Sequence, residues 1–316
     1  MSSYNGKKGA FNISGLPGVS DVYQVTTTSE TAGPKTFWDK WFKPHSNAFT
    51  SLITAEAALT GGINEVIMLS PESHALASML TWDKSNSALI GQSPDDCRMN
   101  QRSRISMSAN FATMITVSGD GNLFKNLYIP HGRGSATNVN CLTVSGDRNT
   151  FYNCHFAGPQ NDTEADTSGY DLIRLTTAEE TVFKKCFIGN MTIDSTAVNL
   201  VEKQTGSGAV LFDECIFYIN SSGASNTILK LDTGIMARPI IFKDCIGIVA
   251  GTALTYAITG DFLGASTKAI LCNTDFTGCT DVCSANNEGY VISMGGSAYR
   301  GADEVNSLGV PYDHTA

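Results

Sequence analysis

Apolar positions along the chain fall in short alternating runs of three to six residues. They lack the three-to-four spacing of an amphipathic helix. One run keeps returning: FKNLYI from Phe124, FYNCHF from Phe151, FKKCFI from Phe183, FDECIF from Phe212 and FKDCIG from Phe242. A weaker copy, LCNTDF, starts at Leu271. Successive copies are 27, 32, 29, 30 and 29 residues apart, a period that belongs to solenoids. Within the run, Cys154 and Phe156 both read as core, which strict alternation from Phe151 does not allow. A bend at Asn153 resolves the conflict, because Asn and Asp tolerate the left-handed backbone region. Asn126, Asn153 and Asp244 occupy the bend position, with Lys185 and Glu214 as exceptions.

A second run, ITVSGDGN from Ile115 and LTVSGDRN from Leu142, ends each time in a Ser-Gly-Asp turn. Each period therefore holds about three short strands and no helix. Strands that return in one direction at this interval predict an all-β fold, a single-stranded parallel β-helix in which like residues stack about 4.8 Å apart. Leu127, Cys154, Cys186, Cys215, Cys245 and Thr274 then form one internal ladder, and the cysteines act as small hydrophobes with no catalytic duty.

Before the repeats, AFTSLITAEAALTGG reads as a short amphipathic capping helix, NEVIMLS as a strand and LTWDKSNSALIGQ as strand, turn, strand. The organisation expected is an N-terminal arm over residues 1–44, a capped β-helix over 45–294 and a C-terminal arm over 295–316. Trp38, Trp41 and Phe42 are the docking candidates of the first arm.

Composition narrows the chemistry. The formal charge of −9 sets the surface against nucleic acid. No apolar run reaches the roughly 18 residues of a membrane span, and the N-terminus lacks the apolar region of a secretory signal. Nine cysteines include no C-x-x-C pair, so neither a metal site nor a cofactor is expected.

The motifs VIMLSPESHAL, KSNSALIG and F-x-N-C-x-F resemble the pectate-lyase-like right-handed β-helix superfamily, over roughly residues 46–280. TWDKSNSALIGQ, NLFKNLYIPHG and VSGDRNTFYNCHFAGP are similar to β-helical virion proteins of tailed bacteriophages, both capsid decoration proteins and tailspikes. That resemblance implies a homotrimer made in the host bacterial cytoplasm and carried on the virion, with the major capsid protein lattice as partner and a host-surface glycan as a further one. The leading expectation is a non-enzymatic capsid decoration or cement protein. The alternative is a tailspike-like glycan-binding protein or depolymerase.

Enzymes of this superfamily resemble one another in placing carboxylates on an exposed strand face, so the resemblance points to acids in such positions. Asp213, Glu214 and Asp244 are the candidates. Against them, Glu214 and Asp244 fill bend positions, Asp120 and Asp147 are turn residues, Glu179 and Glu180 read as a solvated loop, and His131 and His155 read as surface residues flanking strands. Basic residues look scattered, which argues against an anionic glycan. If Cys154 and Phe156 point inward, an outward column of Tyr128, His155, Phe187, Ile216 and Ile246 results. It is expected to be covered by an arm or by neighbouring subunits.

Overall fold

A computed structural model describes residues 22–26, 48–92, 103–137, 139–204, 206–231, 238–260, 268–283, 291–294 and 308–311. Trp38, Trp41 and Phe42 lie outside the described residues, and so does Cys97. The chain begins with β1 (Val22–Val25), β2 (Ala48–Phe49) and helix α1 (Leu52–Ala57). Eight three-stranded coils follow: β3 (Glu65–Leu69), β4 (Ser73–Leu76), β5 (Leu80–Trp82); β6 (Ser87–Gly91), β7 (Arg104–Met107), β8 (Thr113–Val117); β9 (Leu123–Lys125), β10 (Tyr128–His131), β11 (Asn140–Val144). The fourth coil holds β12 (Thr150–Tyr152), β13 (His155–Pro159), helix α2 (Asp162–Ala165) and β14 (Tyr170–Leu175). Then come β15 (Val182–Lys184), β16 (Phe187–Ser195), β17 (Val198–Lys203); β18 (Val210–Asp213), β19 (Ile216–Ser221), β20 (Thr227–Leu231); β21 (Ile240–Lys243), β22 (Ile246–Gly251), β23 (Leu254–Gly260); and β24 (Ala269–Cys272), β25 (Asp275–Thr277), β26 (Cys279–Cys283). β27 (Val291–Met294) and β28 (Leu308–Pro311) close the chain.

The first strands of the coils form sheet A with β1, β2, β27 and β28, the second strands sheet B, and the third strands sheet C. All pairings are parallel except β27 with β28, and the whole is a right-handed parallel β-solenoid. β1 and β28 fall within the stretches that read as arms, and each is hydrogen-bonded into sheet A. α1 is a minor element of six residues; it buries Leu52 and Ala55 at the N-terminal end of the core.

The repeated hexapeptide is the corner between sheets A and B. Asn126, Asn153 and Asp244 have φ of 58°, 52° and 52°, and Lys185 and Glu214 adopt 53° and 55° at the same place. Once neighbouring coils turn there, each new coil must follow, so packing forces even Lys and Glu into a region that L residues avoid. The first Phe of each copy stacks on the next: ring centroids from Phe124 through Phe151, Phe183 and Phe212 to Phe242 are 4.8, 4.7, 4.8 and 5.1 Å apart. Phe156 and Phe217, from sheet B, meet this column edge-on.

The cysteines of the repeat lie one above another at the corner, inside the core. Cys154, Cys186, Cys215 and Cys245 are all buried. Each thiol donates to the carbonyl of a Phe one coil back, at 3.3–3.5 Å: Phe124, Phe151, Phe183 and Phe212 respectively. Burial pushes the Cys154 thiol up to about 12, so the reactive thiolate is absent at neutral pH.

Candidate functional site

The acids picked out in the sequence do not converge on a working site. Asp213, on the outer face of sheet A, is clamped between Lys184 Nζ at 2.6 Å and Lys243 Nζ at 3.1 Å. These lysines outweigh its burial and hold the carboxyl below its ordinary range, so it makes a poor proton donor. Glu214 sits at the bend with Lys185 Nζ 3.7 Å away. Asp244 occupies the next bend and accepts from Asn273 Nδ2 at 2.7 Å. Asp120 Oδ1 accepts from the Asp147 N–H and Asp147 Oδ1 from the Glu179 N–H, at 2.7 and 2.9 Å, which makes them a staircase of turn caps. Glu180 pairs with Arg148 at 2.7 Å, and Arg238 lies 3.2 Å from both Glu179 and Glu180.

The two histidines are not surface residues. His131 is fully buried with Nδ1 2.7 Å from the Tyr170 hydroxyl, and burial pulls its imidazole down to about 3. His155 is buried with Nε2 3.3 Å from the Gly189 carbonyl. Neither is placed to trade protons with a substrate, because the column that carries His155 is sealed within the chain at that level.

Sheet C brings together a group that the sequence reading did not assemble. Three neighbouring strands, β14, β17 and β20, are in register, so that Asp171 pairs with Asn199 and Asn199 with Thr227, while Arg174 pairs with Glu202 and Glu202 with Lys230. Arg174 Nε donates to Asp171 Oδ2 at 3.1 Å and to Glu202 Oε2 at 2.7 Å, and Nη2 donates to Asp171 as well. Asn199 Nδ2 donates to Asp171 Oδ1 at 2.7 Å, and Thr227 Oγ1 donates to Asn199 Oδ1 at 3.0 Å. Lys230 Nζ donates to Glu202 Oε1 at 2.7 Å, and Gln204 Nε2 donates to its Oε2 at 3.0 Å. Both carboxylates are buried, whereas Arg174 and Lys230 reach solvent.

This setting drives the two acids apart. Burial, helped by the charge of Glu202, raises Asp171 to about 6 against the pull of Asn199 and Arg174. Glu202 is buried too, but Lys230 and Arg174 more than offset that and leave it below its ordinary range. One carboxyl thus takes up a proton at mildly acidic pH while its neighbour stays ionised, the division of labour that acid–base chemistry requires. The pair is close: oxygens that share one nitrogen stand nearer than the roughly 6.5–9.5 Å that makes room for a water in an inverting glycosidase.

A signal for this cluster does exist in the sequence. Asp171-x-x-Arg174, Asn199-x-x-Glu202 and Thr227-x-x-Lys230 repeat at intervals of 28 residues. They belong to the third strand, whose repeat from Ile115 and Leu142 shows in apolar alternation and a Ser-Gly-Asp turn rather than in these polar positions. Among the described residues no group of three or more His, Cys, Asp or Glu is arranged to hold a metal ion, and no helix is long and apolar enough to cross a membrane.

No protein-family profile matches the sequence, and no curated protein sequence does either. Solved structures match by fold. A pectin methylesterase from Aspergillus niger is 14% identical, with a TM-score of 0.61 over 93% of this chain and 92% of that one. The pectin methylesterase from carrot is 14% identical, with a TM-score of 0.61 over 84% of each chain. Pectate lyase Pel9A is 14% identical, with a TM-score of 0.59 over 92% of this chain and 73% of that one. At this identity the likeness establishes a pectate-lyase-like parallel β-helix. It also corrects the expectation that the chain is not an enzyme: these neighbours are pectin methylesterases and a pectate lyase, matched along most of their lengths.

Proposed function

We propose that the protein is a carbohydrate-active β-helix, a tailspike-like depolymerase that attacks an anionic polysaccharide on the outer face of sheet C. The observation that carries this reading is the single Arg174 guanidinium shared by two carboxylates of opposite protonation tendency. Protonated Asp171 serves as general acid toward the leaving oxygen, and Glu202 serves as base or nucleophile. Arg174 and Lys230, on either side of Glu202 along the helix axis, hold the acidic groups of the glycan. The basic residues that look scattered in the sequence are stacked here by the coil period.

Both acids lie beneath the cations, which gives binding a further role. A substrate carboxylate competes for Arg174 and Lys230, and engaging them loosens their hold on Asp171 and Glu202. The homotrimeric, virion-borne setting expected from the sequence is part of the same reading, with the outer face of sheet B as the subunit contact.

The test is to incubate the purified protein with host capsule or O-antigen and with de-esterified pectin, and to follow oligosaccharide release by size-exclusion chromatography. Asp171→Asn and Glu202→Gln should each lower the rate by roughly 10²- to 10⁴-fold, the span of a positioned acid or base. Full release by both variants would exclude this site.

A further inference from the structure

Beside the column of Arg174, Glu202 and Lys230, sheet C carries a second polar column. Thr113 pairs with Asn140, Asn140 with Asp171, Asp171 with Asn199 and Asn199 with Thr227, one residue from each of β8, β11, β14, β17 and β20. Hydrogen bonds run along it in one sense. Thr227 Oγ1 donates to Asn199 Oδ1 at 3.0 Å, Asn199 Nδ2 donates to Asp171 Oδ1 at 2.7 Å, and Asn140 Nδ2 donates to Thr113 Oγ1 at 3.3 Å. Each donor lies one coil C-terminal to its acceptor. Only the step from Asp171 to Asn140 is missing, because an ionised carboxylate has no hydrogen to give.

Asn140 is 4% exposed, and its Oδ1 is buried with no hydrogen-bond partner among the described residues. Buried acceptors are rarely left open. Its Nδ2 is already given to Thr113, so the column neighbour left to fill the acceptor is Asp171, itself fully buried. The titratable groups around Asp171 are Arg174 and Tyr170 on its own strand, Glu202 on β17 with Lys230 beyond it on β20, and Cys141 on β11. Burial keeps the Tyr170 hydroxyl and the Cys141 thiol protonated. Glu202 is therefore the rival acceptor for a proton on Asp171, but its oxygens are taken. Oε2 accepts from both Arg174 Nε and Gln204 Nε2, and Oε1 accepts from Lys230 Nζ.

We propose that Asn140 is a positioning residue for the general acid: its Oδ1 accepts the proton of Asp171 and closes one hydrogen-bond chain across five coils, from Thr227 through Asn199, Asp171 and Asn140 to Thr113. Within such a chain each bond polarises the next, so the whole column favours the protonated acid. The inference rests on the acid role given to Asp171 above. When a substrate carboxylate draws Arg174 away, the Asp171 carboxyl turns, gives this proton to the leaving oxygen and is left as the carboxylate. The sense of the Asn140 amide is what matters. Turned over, it would point an N–H at Asp171 and favour the ionised form instead, so the sign of its effect identifies the arrangement.

The experiment is a carbon-13 NMR titration of the full chain, labelled at the side-chain carboxyl carbons of Asp and the amide carbons of Asn, with the two signals assigned from Asp171→Asn and Asn140→Leu. In the parent the Asn140 carbon should shift at the same midpoint as Asp171. Asn140→Leu, which keeps the shape and removes the acceptor, should lower the Asp171 midpoint by about one pH unit, a tenfold loss of the protonated form. The alkaline limb of the rate profile should move down with it. If Asn140→Leu does not fold, the parent titration decides. The proposal is overturned if the Asn140 carbon does not respond at the Asp171 midpoint, or if Asn140→Leu leaves that midpoint unchanged or raises it. The NMR readout needs no turnover. A lowered midpoint in a protein that releases no oligosaccharide from any polysaccharide would uphold Asn140 and reject the depolymerase reading, whereas release with an unmoved midpoint would reject Asn140 alone.

Discussion

Lys203 is the residue whose place in the fold most opposes its chemistry. In β17 it is flanked in register by Leu175 and Leu231, it is fully buried, and burial pulls its ammonium down to about 8. Because the folded value lies below that of the unfolded chain, folding favours the neutral amine. Stability is therefore lowest below pH 8 and rises as pH climbs from about 8 toward 10.4, where the unfolded lysine also loses its proton. Lys203→Met should stabilise the protein at pH 7 by at most about 3 kcal/mol and abolish that rise; urea denaturation at pH 7 and pH 10 measures both. The bend residues make the opposite point. The sequence allowed the left-handed corner to be located from Asn126, Asn153 and Asp244, but the stack imposes it on Lys185 as well. Replacing Lys185 by Asn should therefore raise stability by about 0.5–1 kcal/mol in the same assay. Where a position repeats, its residue type was legible one coil at a time. Lys203 was not legible, because nothing in its own strand distinguishes a charged residue pointing inward.

At the scale of the strand, the first and second strands of each coil were readable because the stacked Phe and Cys tie them to a hexapeptide with a fixed internal bend. The third strand was readable in two coils, from the apolar alternation and Ser-Gly-Asp turn that align the runs from Ile115 and Leu142, but its polar positions change identity from coil to coil: Asp171 and Arg174, Asn199 and Glu202, Thr227 and Lys230. Complementary charges replace identical ones as the column rises, so the eye for repetition misses what the hydrogen bonds make plain. The same alternation sets a pH window. Asp171 must be protonated to act as acid and Glu202 ionised to act as base, so the rate should peak between the lowered Glu202 value and about 6 and decline above it. A rate that keeps rising from pH 6 to pH 8 would assign the protonated role elsewhere. The raised Asp171 value also means that its protonated form is favoured by folding, a contribution present below the unfolded value near 3.9 and lost as pH rises through about 6.

For the whole molecule, the proposed trimer places its subunit contact on the outward column of sheet B. Tyr128, His155, Phe187, Ile216 and Ile246 do form one in-register line, as their spacing in the sequence indicated. Their exposure is uneven, which a periodic pattern cannot reveal: Phe187 is 2% exposed, Tyr128 and Ile216 are half-buried, and Ile246 is 47% exposed with Ile248 at 36% beside it. The single chain thus covers the middle of the line and leaves its C-terminal end open. Changing Phe187 to Asp would place a carboxylate in a sealed site and unfold the coil rather than report on assembly. Ile246 and Ile248 are the residues to change. If three subunits meet there, burying the pair contributes up to roughly 1.5–3 kcal/mol per side chain, and Ile246→Asp with Ile248→Asp should convert trimers to monomers in sedimentation-velocity runs while leaving the melting of the monomer's own coils intact. A double variant that sediments as the parent does would remove this surface from the assembly and leave the exposed isoleucines without a role in it.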